Sequence, residues 1–223
     1  MLAALAACQS KPVRPPPSAP SAPAVPKIDV SGATRYQIDS AASDVHVLVY
    51  RAGAAARMGH NHVVSSKDVR GMVYLQKEFS RSHIELSLPV EKFVVDDPKA
   101  RATEGDDFAA EVPQDAREST RRNLLRTEVL DAEHYAEIKL QSVRVAGTRA
   151  RPELTLRITI KDTARDVPVV ANVAESGDAL KINGEFAVKQ TDFGITPFSV
   201  ALGALQVQDQ LRIRFSIVCR HQQ

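Results

Sequence analysis

The sequence contains little of what several common protein classes require. It has two cysteines among 223 residues, and we expect no disulfide between Cys8 and Cys219 because Cys8 precedes a flexible segment. Its formal net charge is +2, all contributed by residues 1–33, so nucleic-acid binding, which needs a surplus of Lys and Arg, is not expected. No apolar run reaches the roughly 18 residues that cross a bilayer, which excludes an integral membrane helix.

Familiar catalytic motifs are also missing. The sequence contains no Gly-X-Ser-X-Gly nucleophile elbow, no glycine-rich phosphate loop and no His-Glu-X-X-His zinc motif. Two acidic pairs, Asp96-Asp97 and Asp106-Asp107, lie in a polar segment without the apolar cover that would raise a carboxyl pKa for acid catalysis. We therefore expect a protein without enzymatic activity.

The N-terminus resembles the end of a bacterial lipoprotein signal peptide. Residues 1–8 are small and apolar up to Cys8, and the LAAC at 5–8 matches a lipobox. We expect residues 1–8 to be a signal-peptide remnant, Cys8 to carry a lipid, and the Pro- and Ala-rich residues 9–33 to form a disordered linker. These features predict a periplasmic protein anchored to a bacterial membrane through Cys8; the alternative is an accidental match on a cytosolic N-terminus.

From residue 34 onward the dominant pattern is an alternation of apolar and polar residues, which is typical of half-buried β-strands. It is clearest at 154–160 and recurs at 84–88, 167–173, 180–188 and 211–217. Residues 45–50 are instead apolar on both faces, and the alternation at 138–145 changes phase near Ser142, as a β-bulge would cause. We predict an all-β domain over residues 34–223, an extended antiparallel barrel whose last strand closes against the first.

Residues 96–120 interrupt the strand pattern. They are rich in Asp, Glu and Ala, and Pro98 and Pro113 act as breakers. The pattern of apolar and charged residues at 115–126 predicts one short amphipathic helix. A long acidic loop of this kind usually covers one mouth of a barrel as a lid. The alternative is a mobile surface loop.

Several spaced segments resemble the YceI-like family of bacterial lipid- or polyisoprenoid-binding proteins. YQID at 36–39 with SDV at 43–45 resembles the first strand of that family, and NLLRTEVLDAEHY at 123–135 with IKL at 138–140 resembles its helix, acidic turn and next strand. LTLRITI at 154–160 and TDFGI at 191–195 resemble two later segments. The order and spacing of the four segments carry the resemblance.

The resemblance implies a lipocalin-like barrel with an apolar interior that encloses a long isoprenoid or fatty chain. An eight-stranded barrel has a lumen that is either filled by side chains or wide enough for one slender ligand. Burial of such a chain contributes roughly 0.8 kcal/mol per CH₂ group. The residues that we expect to contact the ligand are Leu86, Leu156, Ile158, Phe186 and Phe193.

His60 and His62 form the most distinctive polar motif. On a strand they would face the same side and could bind one transition metal, with a third ligand from His46, His83, Asp39 or His134. They could instead hydrogen-bond the polar head of a ligand at the barrel mouth, or satisfy backbone groups near Gly59. These three interpretations stay open at the level of the sequence.

Two hypotheses of function follow. The first is a lipid-anchored periplasmic binding protein that sequesters an amphiphilic isoprenoid or another long-chain lipid. The second is a protein that handles a metal or redox cofactor through His60 and His62. A third possibility is that the acidic segment at 96–120 docks a membrane partner.

Overall fold

The computed structural model describes residues 28–222. The predicted lipobox with Cys8 and the linker up to residue 27 lie outside the described residues. Among the described residues, no helix has the length and apolar character needed to cross a bilayer. The first strand begins at Thr34, where the predicted domain begins.

The described residues form mainly β-strands. Their bounds are β1 Thr34–Ile38, β2 Asp44–Val49, β3 Arg51–Ala52, β4 His62–Ser66, β5 Arg70–Leu75, β6 His83–Pro89, β7 Val94–Val95, β8 Glu137–Gly147, β9 Pro152–Ile160, β10 Thr163–Ser176, β11 Ala179–Lys189, β12 Ser199–Val200, β13 Leu205–Val207 and β14 Gln210–His221. Helix α1 spans Pro98–Ala102 and helix α2 spans Gln114–Leu125. The predicted short helix is α2, and α1 is one additional turn within the acidic loop.

Eight strands close into an antiparallel barrel in the order β1-β5-β6-β8-β9-β10-β11-β14. Closure comes from β14 pairing with β1, where Ile38 lies opposite Cys219 and Tyr36 opposite His221. This confirms the predicted contact between the last and the first strand. Strand β8 contains the expected bulge, since its register with β9 shifts between Ser142 and Arg144.

Strands β2, β4 and β7 continue the sheet beyond the barrel seam. The first half of β14 pairs with β2, and β4 and β7 follow in that order. This branch explains why residues 45–50 are apolar on both faces. Val45, Val47 and Val49 face the barrel interior, whereas Leu48 packs on the other side in a small second core. That core contains Leu48, Val63, Ala100 and Phe108, with Tyr50 packed against it.

The acidic loop is packed in two places. Its first part, with α1 and Phe108, covers the outer face of β2 and β4. Asp97 caps α1 by accepting hydrogen bonds from the backbone amides of Lys99 and Ala100, both at 3.0 Å. Its second part, α2, lies against one end of the barrel, where Leu124 packs on the main core.

Candidate ligand cavity in the barrel

A cavity of about 190 Å³ occupies one end of the barrel lumen, here called the cavity end. Of the 24 residues that line it, 23 are apolar. They are Val45, Val47, Val49, Val64, Leu86, Leu88, Phe93, Leu124, Val129, Leu130, Ile138, Leu140, Leu156, Ile158, Ile160, Phe186, Val188, Phe193, Ile195, Leu211, Ile213, Phe215 and Ile217, with Gln190 as the exception. The inward positions of the alternating strands therefore enclose free space rather than a completely packed core.

The structure places all five apolar residues predicted from the sequence on the cavity wall. Leu86, Leu156 and Ile158 come from β6 and β9, Phe186 comes from β11, and Phe193 follows β11 in a short turn. Their contact with a ligand stays a prediction. Sequence reasoning missed the valines of β2 and the residues of the cover. The apolar character of 45–50 was the available signal for the valines.

Gln190 is the polar residue of the wall. Its side-chain nitrogen donates a hydrogen bond of 2.9 Å to the backbone oxygen of Gln208, which fixes the orientation of the amide. No charged side chain lines the cavity. A carboxylate or phosphate buried there would have no counter-ion, and an unpaired buried charge is costly. The cavity therefore suits a hydrocarbon chain, with any charged group left outside.

Helix α2 and the turn that follows it cover the cavity. Leu124 from α2, with Val129 and Leu130 from the turn, supplies this part of the wall. The turn folds back on the helix through a 3.2 Å hydrogen bond from the Leu130 amide to the Leu124 oxygen. Asp131, at a positive φ of 48°, is 2.8 Å from Nδ1 of His134. The segment at 123–135, which carries part of the family resemblance, thus supplies the residues of the cover that line the cavity.

The opposite end of the barrel, here called the closed end, is filled by side chains. Val73, Leu154, Leu180 and Ile182 are buried there and leave about 40 Å³ of free space. Cys219 is fully buried near the β1–β14 seam, and burial raises the pKa of its thiol to about 12. It is a structural thiol with very little thiolate at neutral pH.

The predicted geometry of the histidine pair is wrong. Strand β4 begins at His62, so His60 precedes the strand, and the two rings are not parallel. Their centroids are 6.3 Å apart and their planes are inclined by 60°. Neither histidine lines the cavity, so the pair does not contact the free space available to a ligand.

His62 belongs to a buried polar network. Its Nδ1 lies 2.6 Å from Asp96, whose other oxygen accepts a 2.6 Å hydrogen bond from Arg101 and a 2.9 Å bond from the Val63 amide. Burial acts to raise the pKa of Asp96, but the hydrogen bonds and charges of His62, Val63 and Arg101 outweigh it and hold the pKa below its ordinary value. The network ties the acidic loop to β4.

The proposed third metal ligands are engaged elsewhere. His46 pairs with Glu104 at 2.5 Å, and Asp39 pairs with Arg220 at 2.8 Å. His83 bonds Ser142, and His134 bonds Asp131. Within residues 28–222 no three His, Cys, Asp or Glu side chains converge on one point. The metal interpretation of His60 and His62 therefore lacks a third ligand in the described part of the chain.

Several solved structures share this fold. BcnA of Burkholderia cenocepacia is 18% identical, with a TM-score of 0.61 over 81% of this chain and 98% of that chain. A polyisoprenoid binding domain from Saccharophagus degradans, implicated in plant cell wall breakdown, is 10% identical, with a TM-score of 0.52 over 84% of this chain and 98% of that one. A mutant YCEI protein from Campylobacter jejuni is 10% identical, with a TM-score of 0.51 over 71% and 83% of the two chains.

These low identities establish a likeness of fold, and the sequence itself identifies the family. A search of curated proteins gave no match. The model of the YceI-like domain, in contrast, matches residues 36–219, which contain the whole barrel apart from its first and last few residues. The chain therefore belongs to the YceI-like family.

Proposed function

We propose that this protein is a lipid-anchored periplasmic binding protein that sequesters an amphiphilic isoprenoid or another long-chain lipid in its barrel, without chemistry of its own. The observation that carries the proposal is the cavity end, whose wall is apolar except for Gln190. A mostly apolar pocket with one placed polar group is the usual form of a site for an apolar ligand.

The energetics favour the hydrocarbon part of such a ligand. Each buried CH₂ group contributes roughly 0.8 kcal/mol, so a dozen carbons suffice for tight binding without a charged anchor. The side-chain nitrogen of Gln190 bonds Gln208, so its side-chain oxygen is the atom that would accept a hydrogen bond from an uncharged polar group of the ligand. The polyisoprenoid binding domain from Saccharophagus degradans shares the fold, which supports the same ligand class here.

Ligand entry requires the cover to move. A free volume of about 190 Å³ is smaller than the roughly 300–1,000 Å³ of typical ligand pockets, so it holds only part of a long chain. Leu124, Val129 and Leu130 are the wall residues that the cover contributes. Their displacement, with α2, would lengthen the cavity while the barrel hydrogen bonds stay intact.

The proposed location follows from the N-terminal sequence. The LAAC motif at 5–8 would direct acylation of Cys8, and residues 9–33 would hold the barrel away from the membrane. Labelling with a radioactive or alkyne-bearing fatty acid in a bacterial host tests this directly. The label should appear on the parent chain and be lost in Cys8→Ser.

Native mass spectrometry of the protein purified without denaturant, followed by lipid extraction, tests the binding function. We expect a co-purifying long-chain lipid in the parent protein and at least a tenfold loss in Val188→Phe, which fills the cavity. Ala187→Phe is the matched control, because Ala187 is the neighbouring β11 residue and is exposed. A stoichiometric transition metal without lipid, or equal lipid in the two variants, would contradict the proposal.

A further inference from the structure

An apolar projection lies beyond the cavity end of the barrel. It is built on the small sheet β12-β13-β3 and the turns beside it, and its exposed side chains are Met58, Phe198, Val200 and Leu202, here called the apolar tip. Met58 is 77% exposed and Leu202 is completely exposed. Exposed apolar side chains grouped in this way commonly mark an interaction site.

The tip is a direct continuation of the cavity wall. Val49 of the wall is two residues from β3, Leu211 is four residues from the end of β13, and Ile195 is three residues from Phe198. A hydrogen bond of 3.0 Å from the Val207 amide to the Phe198 oxygen joins two of these segments. The segments that carry the exposed apolar side chains are thus joined directly to segments that line the ligand cavity.

The tip has a fixed backbone. The Ala55 amide donates a 2.7 Å hydrogen bond to the Ala204 oxygen, and a Cβ at Gly53 would lie 2.5 Å from that oxygen, so the two turns touch. Ala201 and Leu202 both have left-handed backbone, with φ of 51° and 55°. This conformation is unfavourable for residues with a Cβ and is often retained for a functional reason. Its result here is that Leu202 projects into solvent.

The charge of the tip favours an anionic bilayer as its partner. Residues 196–208 contain no charged residue, and the facing turn at 51–59 contains Arg51 and Arg57 but no acidic residue. Apolar side chains flanked by arginines resemble the composition of segments that bind the interface of anionic membranes.

We propose that the apolar tip inserts into the headgroup region of an anionic lipid bilayer and places the cavity end against it. A lipid of low water solubility then passes between bilayer and cavity without crossing bulk water. The passage of lipid rests on the proposed binding function. The membrane contact does not, because it is inferred from the apolar tip alone. This contact is separate from the anchor proposed at Cys8.

Fluorescence of a single tryptophan tests the insertion. The sequence has no Trp, so Leu202→Trp in a Cys8→Ser full-length chain gives a single tryptophan at the tip, which can be excited selectively over the four tyrosines. Vesicles of phosphatidylglycerol and phosphatidylcholine should shift its emission to the blue, whereas pure phosphatidylcholine vesicles should shift it less. Val94→Trp is the matched control, because Val94 is an exposed apolar residue away from the tip, and its emission should not change. Equal shifts at both positions, or none at Leu202→Trp, would overturn the proposal.

Co-sedimentation with the same anionic vesicles adds a second measurement. Met58→Ser with Leu202→Ser should lower the bound fraction at least tenfold, and Val94→Ser with Val170→Ser should not. Val188→Phe should bind vesicles normally while losing lipid, which separates a failure of the binding function from a failure of the tip. Unchanged sedimentation of the tip variant would overturn the proposal, as would self-association that needs Leu202, since it would assign the tip to a second copy of the chain.

Discussion

The two ends of the barrel have the same alternating pattern and yet differ in what they contain. At the closed end, Val73, Leu154 and Leu180 leave about 40 Å³ free, whereas the cavity end retains about 190 Å³. At the closed end, inward side chains of the barrel strands and Phe79 from the turn before β6 fill the lumen, whereas free space remains beneath α2 and its turn at the cavity end. A barrel can therefore be a packed core at one end and a ligand site at the other.

The largest expected effect is a charge on the cavity wall. Leu156→Asp should lower the free energy of unfolding by roughly 4 kcal/mol, because no basic side chain lines the cavity and an unpaired buried charge is costly. Urea denaturation followed by circular dichroism measures this. Thr155→Asp, on the outer face of the same strand, is the control and should cost less than about 1 kcal/mol. Equal losses in the two variants would show that the assigned strand faces are wrong.

Truncating leucines at the two ends compares the packing directly. Leu180→Ala at the closed end should cost about 3 kcal/mol, since it creates a new cavity in a filled region. Leu211→Ala at the cavity end should cost about 1–2 kcal/mol, because the side chain already borders free space and is half-buried. Chemical denaturation of the parent chain and both variants gives the two losses in the free energy of unfolding. A larger loss for Leu211→Ala would remove the distinction between the two ends.

Acid should weaken the attachment of the acidic loop to β4. The pKa of Asp96 is lowered from 3.8 in the folded protein, so its contribution to stability is complete above pH 3.8 and is lost as the pH falls through the folded-state pKa. The contribution is about 1.4 kcal/mol for each pH unit between the folded and unfolded pKa values. The stability difference between the parent chain and Asp96→Asn should therefore narrow between pH 5 and pH 2, approximately. A stability difference that stays constant across that range would contradict the inference that folding lowers the pKa of Asp96.

The smallest effect concerns thiol access at the two ends. In a Cys8→Ser chain, Cys219 should react with a small thiol reagent at pH 8 only after unfolding, because burial raises its thiol pKa to about 12. Val188→Cys in the same chain places a second thiol on the cavity wall, and this thiol should react at least about a hundredfold faster. Mass spectrometry of the labelled peptides distinguishes the two positions. Comparable labelling of both would show that the closed end is open to small molecules.

Part of the site was predictable from local pattern. Leu86, Leu156 and Phe186 lie on the cavity wall because the strand period of two fixes which side chains share a face, whatever the neighbouring strand is, and their contact with a ligand stays a prediction. The bulge near Ser142 was visible for the same reason, as a change of phase. The pairing of β14 with β1 agrees with the prediction from the position of the last strand almost at the end of the chain.

The histidine pair shows where local pattern fails. The spacing of His60 and His62 predicts that both lie on one strand, but β4 begins at His62. The ends of a strand are the part that a sequence pattern predicts least reliably. The partner of His62 is Asp96, which is 34 residues away and reaches β4 because the acidic loop packs on the outer face of the sheet. No spacing within either segment indicates this contact.

The sequence by itself determined the long alternating strands, the inward face of each of these and the apolar character of the lumen, because side-chain alternation is a property of neighbouring residues. Only the tertiary structure decided which end of the lumen is filled, which face of β2 packs against α1 and where the cover formed by residues 123–135 lies. These features depend on the volumes of side chains that are distant in the sequence and meet only in the folded protein. No single segment of the sequence indicates how they pack together.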